Sequence, residues 1–178
     1  LSVTCANGEV VVAPAASGFG ADLEAVRDRV SSKTRLIFIA NPNNPTGTWV
    51  GLGEIEKLLL AVPKSVWVVI DEAYFEYLDH PQYGSALCLM ERFENLIITR
   101  TFSKIYGLAS LRLGYGVTNS RFADLLNRAR QPFNVGGLTL AAGVAALSDD
   151  EFVIESRQKN EEGLRQLERG LDELGLPW

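Results

Sequence analysis

The sequence predicts an α/β fold, a largely parallel sheet with helices on both faces, and three observations predict it. Apolar runs of strand length, rich in β-branched and aromatic residues, recur at 36–40, 66–70, 96–99 and 113–117. Segments of helical periodicity alternate with them. The polar residues that look out of place sit where the first three runs end, at 41–46, 71–72 and 101–104. That edge is where parallel sheets carry their chemistry.

From Ala21 to Val30, the residues Leu23, Val26 and Val30 recur at helical spacing until Ser31-Ser32-Lys33-Thr34 breaks the pattern. Leu36-Ile37-Phe38-Ile39-Ala40 is a continuous apolar run, as expected of a strand buried on both faces, and it ends at Asn41-Pro42. A loop rich in Pro, Gly and Asn leads into a helix over Leu52 to Val62. A second buried strand, Val66 to Ile70, stops at Asp71, and a third, Leu96 to Thr99, follows a longer irregular connection. Leu113 to Val117 is the fourth; Asn119 or Ser120 then caps a helix carrying Phe122, Leu125 and Leu126. Ala141 to Leu147 reads as an Ala-rich helix. From Asp149 a long charged helix repeats Leu164, Leu167, Leu171 and Leu174, a stripe expected to pack on its own protein, with too few heptads for a coiled coil.

Composition narrows the function classes. Hydrophobic residues make up 47% and charged residues 22%, the balance of an ordinary globular chain. Seventeen basic against twenty-two acidic residues leave a net charge of -5 without any Lys/Arg cluster, which argues against a nucleic-acid partner. No run of about eighteen apolar residues predicts a membrane span. Cys5 and Cys88 have neither disulfide-framework nor metal-ligand spacing, so no metal site is expected and a reducing cytoplasm is the expected home. His80, the one histidine, lies in the polar stretch 79–82 and is assigned no role. The chain opens without Met and closes on a helix-stop signal, so it reads as a fragment.

Asp71 ends an apolar strand, so its carboxylate is expected in a partly dehydrated place, where a charge needs a cation or strong donors beside it. Lys104, at another strand end, is either its partner in a structural bridge or a second group facing a common ligand. Spacing alone leaves both readings open.

The joint pattern separates them. Asn41-Pro42-Asn43-Asn44-Pro45-Thr46-Gly47, Asp71-Glu72-Ala73-Tyr74, Thr101-Phe102-Ser103-Lys104 and Leu111-Arg112-Leu113-Gly114-Tyr115 follow one another in an order that resembles the aspartate-aminotransferase fold, fold type I of the pyridoxal-phosphate enzymes. The resemblance runs from about Val10 to the end. Within the fold it is nearest to the histidinol-phosphate aminotransferase branch, which Arg130-Gln131-Pro132-Phe133-Asn134-Val135 also resembles.

The resemblance implies a cofactor, pyridoxal 5'-phosphate, and a role for each matched residue. Lys104 would form the Schiff base and then move a proton between substrate and cofactor. Asp71 would keep the pyridine nitrogen protonated, while Asn44 and Tyr74 would bond the ring's phenolic oxygen. Ser103, Arg112 and Thr101 would hold the phosphate, the guanidinium fork matching its oxygens. Arg100 matches no such position and is expected to be solvated or structural, and Glu72 is expected to be structural. Gly47, Gly107 and Gly114 are expected to permit tight turns or close backbone approach.

It also implies an incomplete large domain over 1–135, and a helical segment, 136–178, leading to a small domain. The implied partners are small molecules, an amino donor and a 2-oxo acid, and a second copy of the chain. Ser110 and Gly136-Gly137 depart from the family pattern outside this constellation. The glycine-containing phosphate loop and the aromatic residue that stacks on the cofactor are expected upstream of Leu1, and the substrate-gripping arginine downstream of Trp178. The expected reaction is transamination of L-histidinol phosphate with 2-oxoglutarate. Alternatives are an aromatic-amino-acid aminotransferase or phosphothreonine-type decarboxylase of the same fold, a non-catalytic regulatory domain that binds the cofactor, and a plain structural domain with an Asp71–Lys104 bridge.

Overall fold

In a computed structural model of the chain, residues 2–177 are described. Strands β1 (Leu36–Ala40), β2 (Trp67–Asp71), β3 (Leu96–Thr101) and β4 (Gly114–Val117) form one sheet in that order. The pairs β1/β2 and β2/β3 are parallel, whereas β4 runs antiparallel to β3. Helices α1 (Ser2–Cys5), α2 (Leu23–Asp28) and α3 (Leu52–Ala61) lie in the first half of the chain, and α4 (Ser120–Ala129), α5 (Gly137–Leu147) and α6 (Asp150–Glu173) follow the sheet. The connection from β2 to β3 holds two short 3-10 turns, Phe75–Tyr77 and Ala86–Leu89, in place of a crossover helix.

The register explains the core. Ile37 pairs with Val68 and Ile39 with Ile70; Val68 and Ile70 pair in turn with Leu96 and Ile98. Because side chains alternate along a strand, all six fall on one face. Ile55, Leu58 and Leu59 of α3 cover that face together with Leu23 of α2, Ala86 and Leu89, and all are buried. Each fully buried aliphatic side chain contributes about 1.5–3 kcal/mol on removal from water, so this layer carries most of the apolar stabilisation.

The opposite face is covered unevenly. Val69 and Ile97 are buried, and the Trp67 ring packs on Phe122 of α4 with centroids 3.9 Å apart. In β1, however, Leu36 is 47% and Phe38 62% exposed, so the expected burial on both faces is corrected to burial on one. A continuous apolar run marks two faces able to be buried, and among the described residues the second face of β1 is covered only in part.

Asn119 is the cap of α4, its Oδ1 accepting from the Phe122 amide at 2.9 Å. Helix α5 begins a turn earlier than expected, at Gly137 after the cap residue Gly136. The leucine stripe of α6 does not pack as expected: Leu164, Leu167 and Leu174 are 53%, 66% and 73% exposed. The helix is anchored near its start, where the Phe152 ring lies over Gly107 and Arg157 Nε donates to the Glu76 carbonyl at 2.7 Å. Farther along, an exposed Arg165–Glu161 pair one turn apart lies on the helix surface.

Candidate functional site

The carboxyl ends of β1, β2 and β3 open onto a cleft of about 320 Å3 lined by Ala40, Pro42, Asn44, Asp71, Ala73, Tyr74 and Lys104. That volume lies at the small end of ligand pockets, which start at about 300 Å3. Three stretches far apart in sequence thus meet at one place.

Asn44 arrives on a loop braced by its own side chains. The buried Asn41 amide donates to the Val50 carbonyl at 3.0 Å and accepts from the Val50 amide at 2.9 Å, closing the loop at its neck. Tyr83 donates its hydroxyl to the Asn41 carbonyl at 3.0 Å, and burial pushes that phenol well above its ordinary range. Asn43 Nδ2 donates to Thr46 Oγ1 at 2.8 Å, and the Gly47 amide returns to the Asn43 carbonyl with Gly47 at φ +68°. Both X-Pro bonds of the loop, 41–42 and 44–45, are cis.

At the end of β2, the chain turns through Phe75–Tyr77 and projects Tyr74 beside Asp71. Asn44 Nδ2 donates to the Tyr74 hydroxyl at 3.0 Å. The phenol therefore spends an acceptor site on Asn44 and keeps its own proton to give. Lys104 Nζ sits 5.1 Å from the centre of the Tyr74 ring. Its neighbours Phe102 and Ile105 are buried at 4% and 2% exposure, which pins the turn and leaves the lysine side chain in the open. Gly107 at φ +68° and its amide bond to the Lys104 carbonyl close that turn.

Asp71 was expected in a partly dehydrated place, and here the structure differs. It is exposed, because the cleft is open on this side. Nor does it pair with Lys104: among the described residues, its carboxylate takes the Thr99 hydroxyl at 3.1 Å. The plain structural bridge is thereby overturned, since two groups that face one cleft without pairing remain available to a ligand.

Thr101, Ser103 and Arg112 converge beyond Lys104. The Ser103 amide donates to Thr101 Oγ1 at 3.1 Å. Arg112 Nη1 donates to Ser103 Oγ at 3.4 Å and to the Ala109 carbonyl at 2.7 Å. Arg112 adopts the left-handed region, φ 52° and ψ 42°, which costs a non-glycine residue on the order of 1 kcal/mol. Gly114 allows the next strand to close in, since a Cβ there would stand 2.8 Å from the Arg100 carbonyl oxygen. Hydroxyls and a guanidinium thus gather with backbone support, a donor set suited to phosphate oxygens.

Behind the cleft lies a polar core. Glu72, 1% exposed, accepts from Ser85 Oγ, from the Ala86 amide at 2.7 Å and from Arg100 Nη2 at 2.8 Å. Arg100 also stacks 4.2 Å over the Phe75 ring. Burial opposes its charge, but the Glu72 hydrogen bond and charge outweigh this and raise its pKa. Of the two expected roles for Arg100, solvated or structural, this buried pairing favours the structural one, as expected for Glu72. Glu76 is buried beside them, its Oε1 without a hydrogen-bond partner; burial raises its pKa, with Glu72 reinforcing the shift and its own backbone and Arg100 opposing it.

Sequence reasoning missed Thr99 and the bracing roles of Asn41, Tyr83 and Ser85. For Thr99 a signal existed, since the period of two that puts Thr101 on the cleft side puts Thr99 there as well. Ser85 and Tyr83 carried none, their partners being 13 and 42 residues away. His80 stacks near Trp49 at 4.8 Å, away from the cleft. Among the described residues there is no His, Cys, Asp or Glu group able to hold a metal ion, and no helix is long and apolar enough to cross a membrane.

Known proteins share this arrangement of sequence and fold. The chain is 55% identical over 163 residues to histidinol-phosphate aminotransferase 1 of Nitrosococcus oceani, covering 92% of this chain and 44% of that protein. It is 50% identical to histidinol-phosphate aminotransferase 2 of Pseudomonas aeruginosa, over 97% of this chain and 46% of the relative. The chain therefore spans about half the length of the curated relatives it matches. A crystal structure of histidinol-phosphate aminotransferase from Sinorhizobium meliloti in complex with pyridoxal-5'-phosphate superposes with a TM-score of 0.89 at 31% identity, over 98% of this chain and 48% of that one. An aspartate aminotransferase variant from Thermus thermophilus gives 0.84 at 25%, again over 98% and 48%. The pattern of the family described as aminotransferase class I and II matches residues 2–178, and the chain belongs to that family.

Proposed function

We propose that this chain forms the cofactor-binding face of a pyridoxal-phosphate-dependent aminotransferase that acts on L-histidinol phosphate with 2-oxoglutarate, working as a homodimer. The observation that carries the reading is the convergence of Lys104, Asp71, Asn44 and Tyr74 on one cleft, with Ser103 and Arg112 adjoining it. Identity of about half to histidinol-phosphate aminotransferases supports the substrate.

The residues fit the cofactor by their chemistry: an amine for an aldehyde, an anion for a ring nitrogen, two donors for a phenolic oxygen, and a hydroxyl-guanidinium group for a phosphate. When bound, that cofactor supplies an aldehyde able to capture amines and a ring able to accept electrons. Lys104 would hold it covalently and, with its amine freed by the substrate amine, would carry a proton from the substrate α-carbon to the cofactor's exocyclic carbon. Asp71 holds the proton on the ring nitrogen. Tyr74, kept in place by Asn44, donates toward the phenolic oxygen, and Asn44 follows it. Ser103, Thr101 and Arg112 would hold the phosphate through hydroxyls and a guanidinium and so keep the cofactor in place.

The test gives the full-length protein L-histidinol phosphate, phenylalanine and threonine phosphate in turn, with 2-oxoglutarate as acceptor. Highest kcat/KM, with glutamate formed, is expected for L-histidinol phosphate. Preference for phenylalanine, or loss of carbon dioxide from threonine phosphate, would replace the substrate assignment. Binding of the cofactor with no turnover of any donor would favour a regulatory role.

A further inference from the structure

We propose that Thr99 is a positioning residue for Asp71, orienting one carboxylate oxygen so that the other meets the cofactor's ring nitrogen. The inference rests on the proposed function and adds a residue to it. In the parallel register of β2 and β3, Thr99 is the partner of Asp71. Alternation along the strands sends both side chains to the cleft face. There Thr99 Oγ1 donates to Asp71 Oδ1 at 3.1 Å, the only side-chain hydrogen bond to that carboxylate among the described residues.

The backbone around the pair cannot slide. The Asp71 carbonyl accepts from the Asn41 amide at 2.9 Å on one side, and the Thr99 carbonyl accepts from the Glu72 amide at 2.8 Å on the other. The next residue on each strand turns to the opposite face, where Glu72 and Arg100 form their buried ion pair, 2.8 Å between Oε2 and Nη2. Front and rear pairs thus bolt the same two strand ends together. What remains free is rotation of the exposed Asp71 carboxylate about its side-chain torsions, which a single directional bond from Thr99 restrains. A carboxylate has two oxygens with about four acceptor sites in all, so engaging Oδ1 leaves Oδ2 unencumbered toward the cleft.

The experiment compares full-length wild type, Thr99→Val, Thr99→Ala and Thr99→Ser in cofactor affinity, in the absorption spectrum of the bound cofactor across pH, and in Tm without cofactor. Pyridoxal phosphate is set against 1-deazapyridoxal phosphate, which has carbon in place of the ring nitrogen. Removing a hydrogen bond to a charged group is expected to weaken pyridoxal phosphate binding about tenfold in Thr99→Val and Thr99→Ala. It should also shift the spectrophotometric pH titration. Thr99→Ser should restore both, the deaza analogue should bind all four proteins alike, and the cofactor-free Tm should hold within a few degrees. Equal pyridoxal phosphate affinity and equal titration in all four proteins would overturn the proposal, as would equal weakening for the analogue that lacks the nitrogen. If wild type itself binds no pyridoxal phosphate, it is the proposed function that fails.

Discussion

Single residues around the cleft divide into those that face it and those that hold the first group still. Asp71, Asn44, Tyr74 and Lys104 face it; Asn41, Tyr83, Thr99 and the Glu72–Arg100 pair hold it. Glu76 belongs to neither group, and its buried, unpartnered oxygen makes a distinct prediction. Burial raises its carboxyl above the ordinary 4.5, so the folded protein binds the proton more tightly than the unfolded chain. The stability gained this way is complete below the unfolded value and drains away as pH rises through the folded one. Glu76→Gln removes the titration while keeping the shape. The Tm difference between Glu76→Gln and wild type is therefore expected to grow in the variant's favour from pH 4.5 upward. A difference that stays flat with pH, or grows in the opposite direction, would contradict this. Asp71 and Lys104 were legible as polar residues at strand ends, whereas Asn44 and Tyr74 were picked out only by the resemblance of the motifs in which they stand. The holding residues were not, since their partners lie across the sheet or in a distant turn.

At the scale of elements, strand positions were readable to within about two residues and so was the largely parallel pairing of the sheet, whereas the antiparallel direction of β4 was not. β4 departs from the parallel pattern, running antiparallel to β3, and the twelve residues 102–113 between them hold a 3-10 turn, Ala109–Leu111, and no crossover helix. An apolar run carries no mark of direction. Its closeness to β3 depends on Gly114, where a Cβ would press to 2.8 Å on the backbone oxygen of Arg100. Backbone cannot swing aside as a side-chain tip can. Gly114→Ala is expected to destabilise the protein by about 1–3 kcal/mol, as overpacking does, measured by urea denaturation. It should also weaken cofactor binding, because Arg112 lies two residues before Gly114 and would shift with it. An unchanged midpoint would show that the sheet edge yields freely.

For the molecule as a whole, the chemistry collects on one edge of the sheet, while the other elements brace that edge. The buried face, with Ile55, Leu58, Leu59, Val68, Ile70, Leu96 and Ile98, supports it from below. The second face keeps Leu36 and Phe38 exposed, and periodicity could not reveal this, because an apolar side chain looks the same whether covered or bare. The fold class, with its largely parallel pairing, was thus readable from the order of local segments, whereas coverage of the second face depends on elements far apart in the chain. The central claim is that one lysine carries the cofactor. Full-length protein loaded with pyridoxal phosphate is reduced with borohydride, digested and mapped by mass spectrometry. The pyridoxyl label is expected on the peptide containing Lys104, and it should vanish in Lys104→Ala. A label on another lysine, or none on a protein that binds the cofactor, would contradict the account.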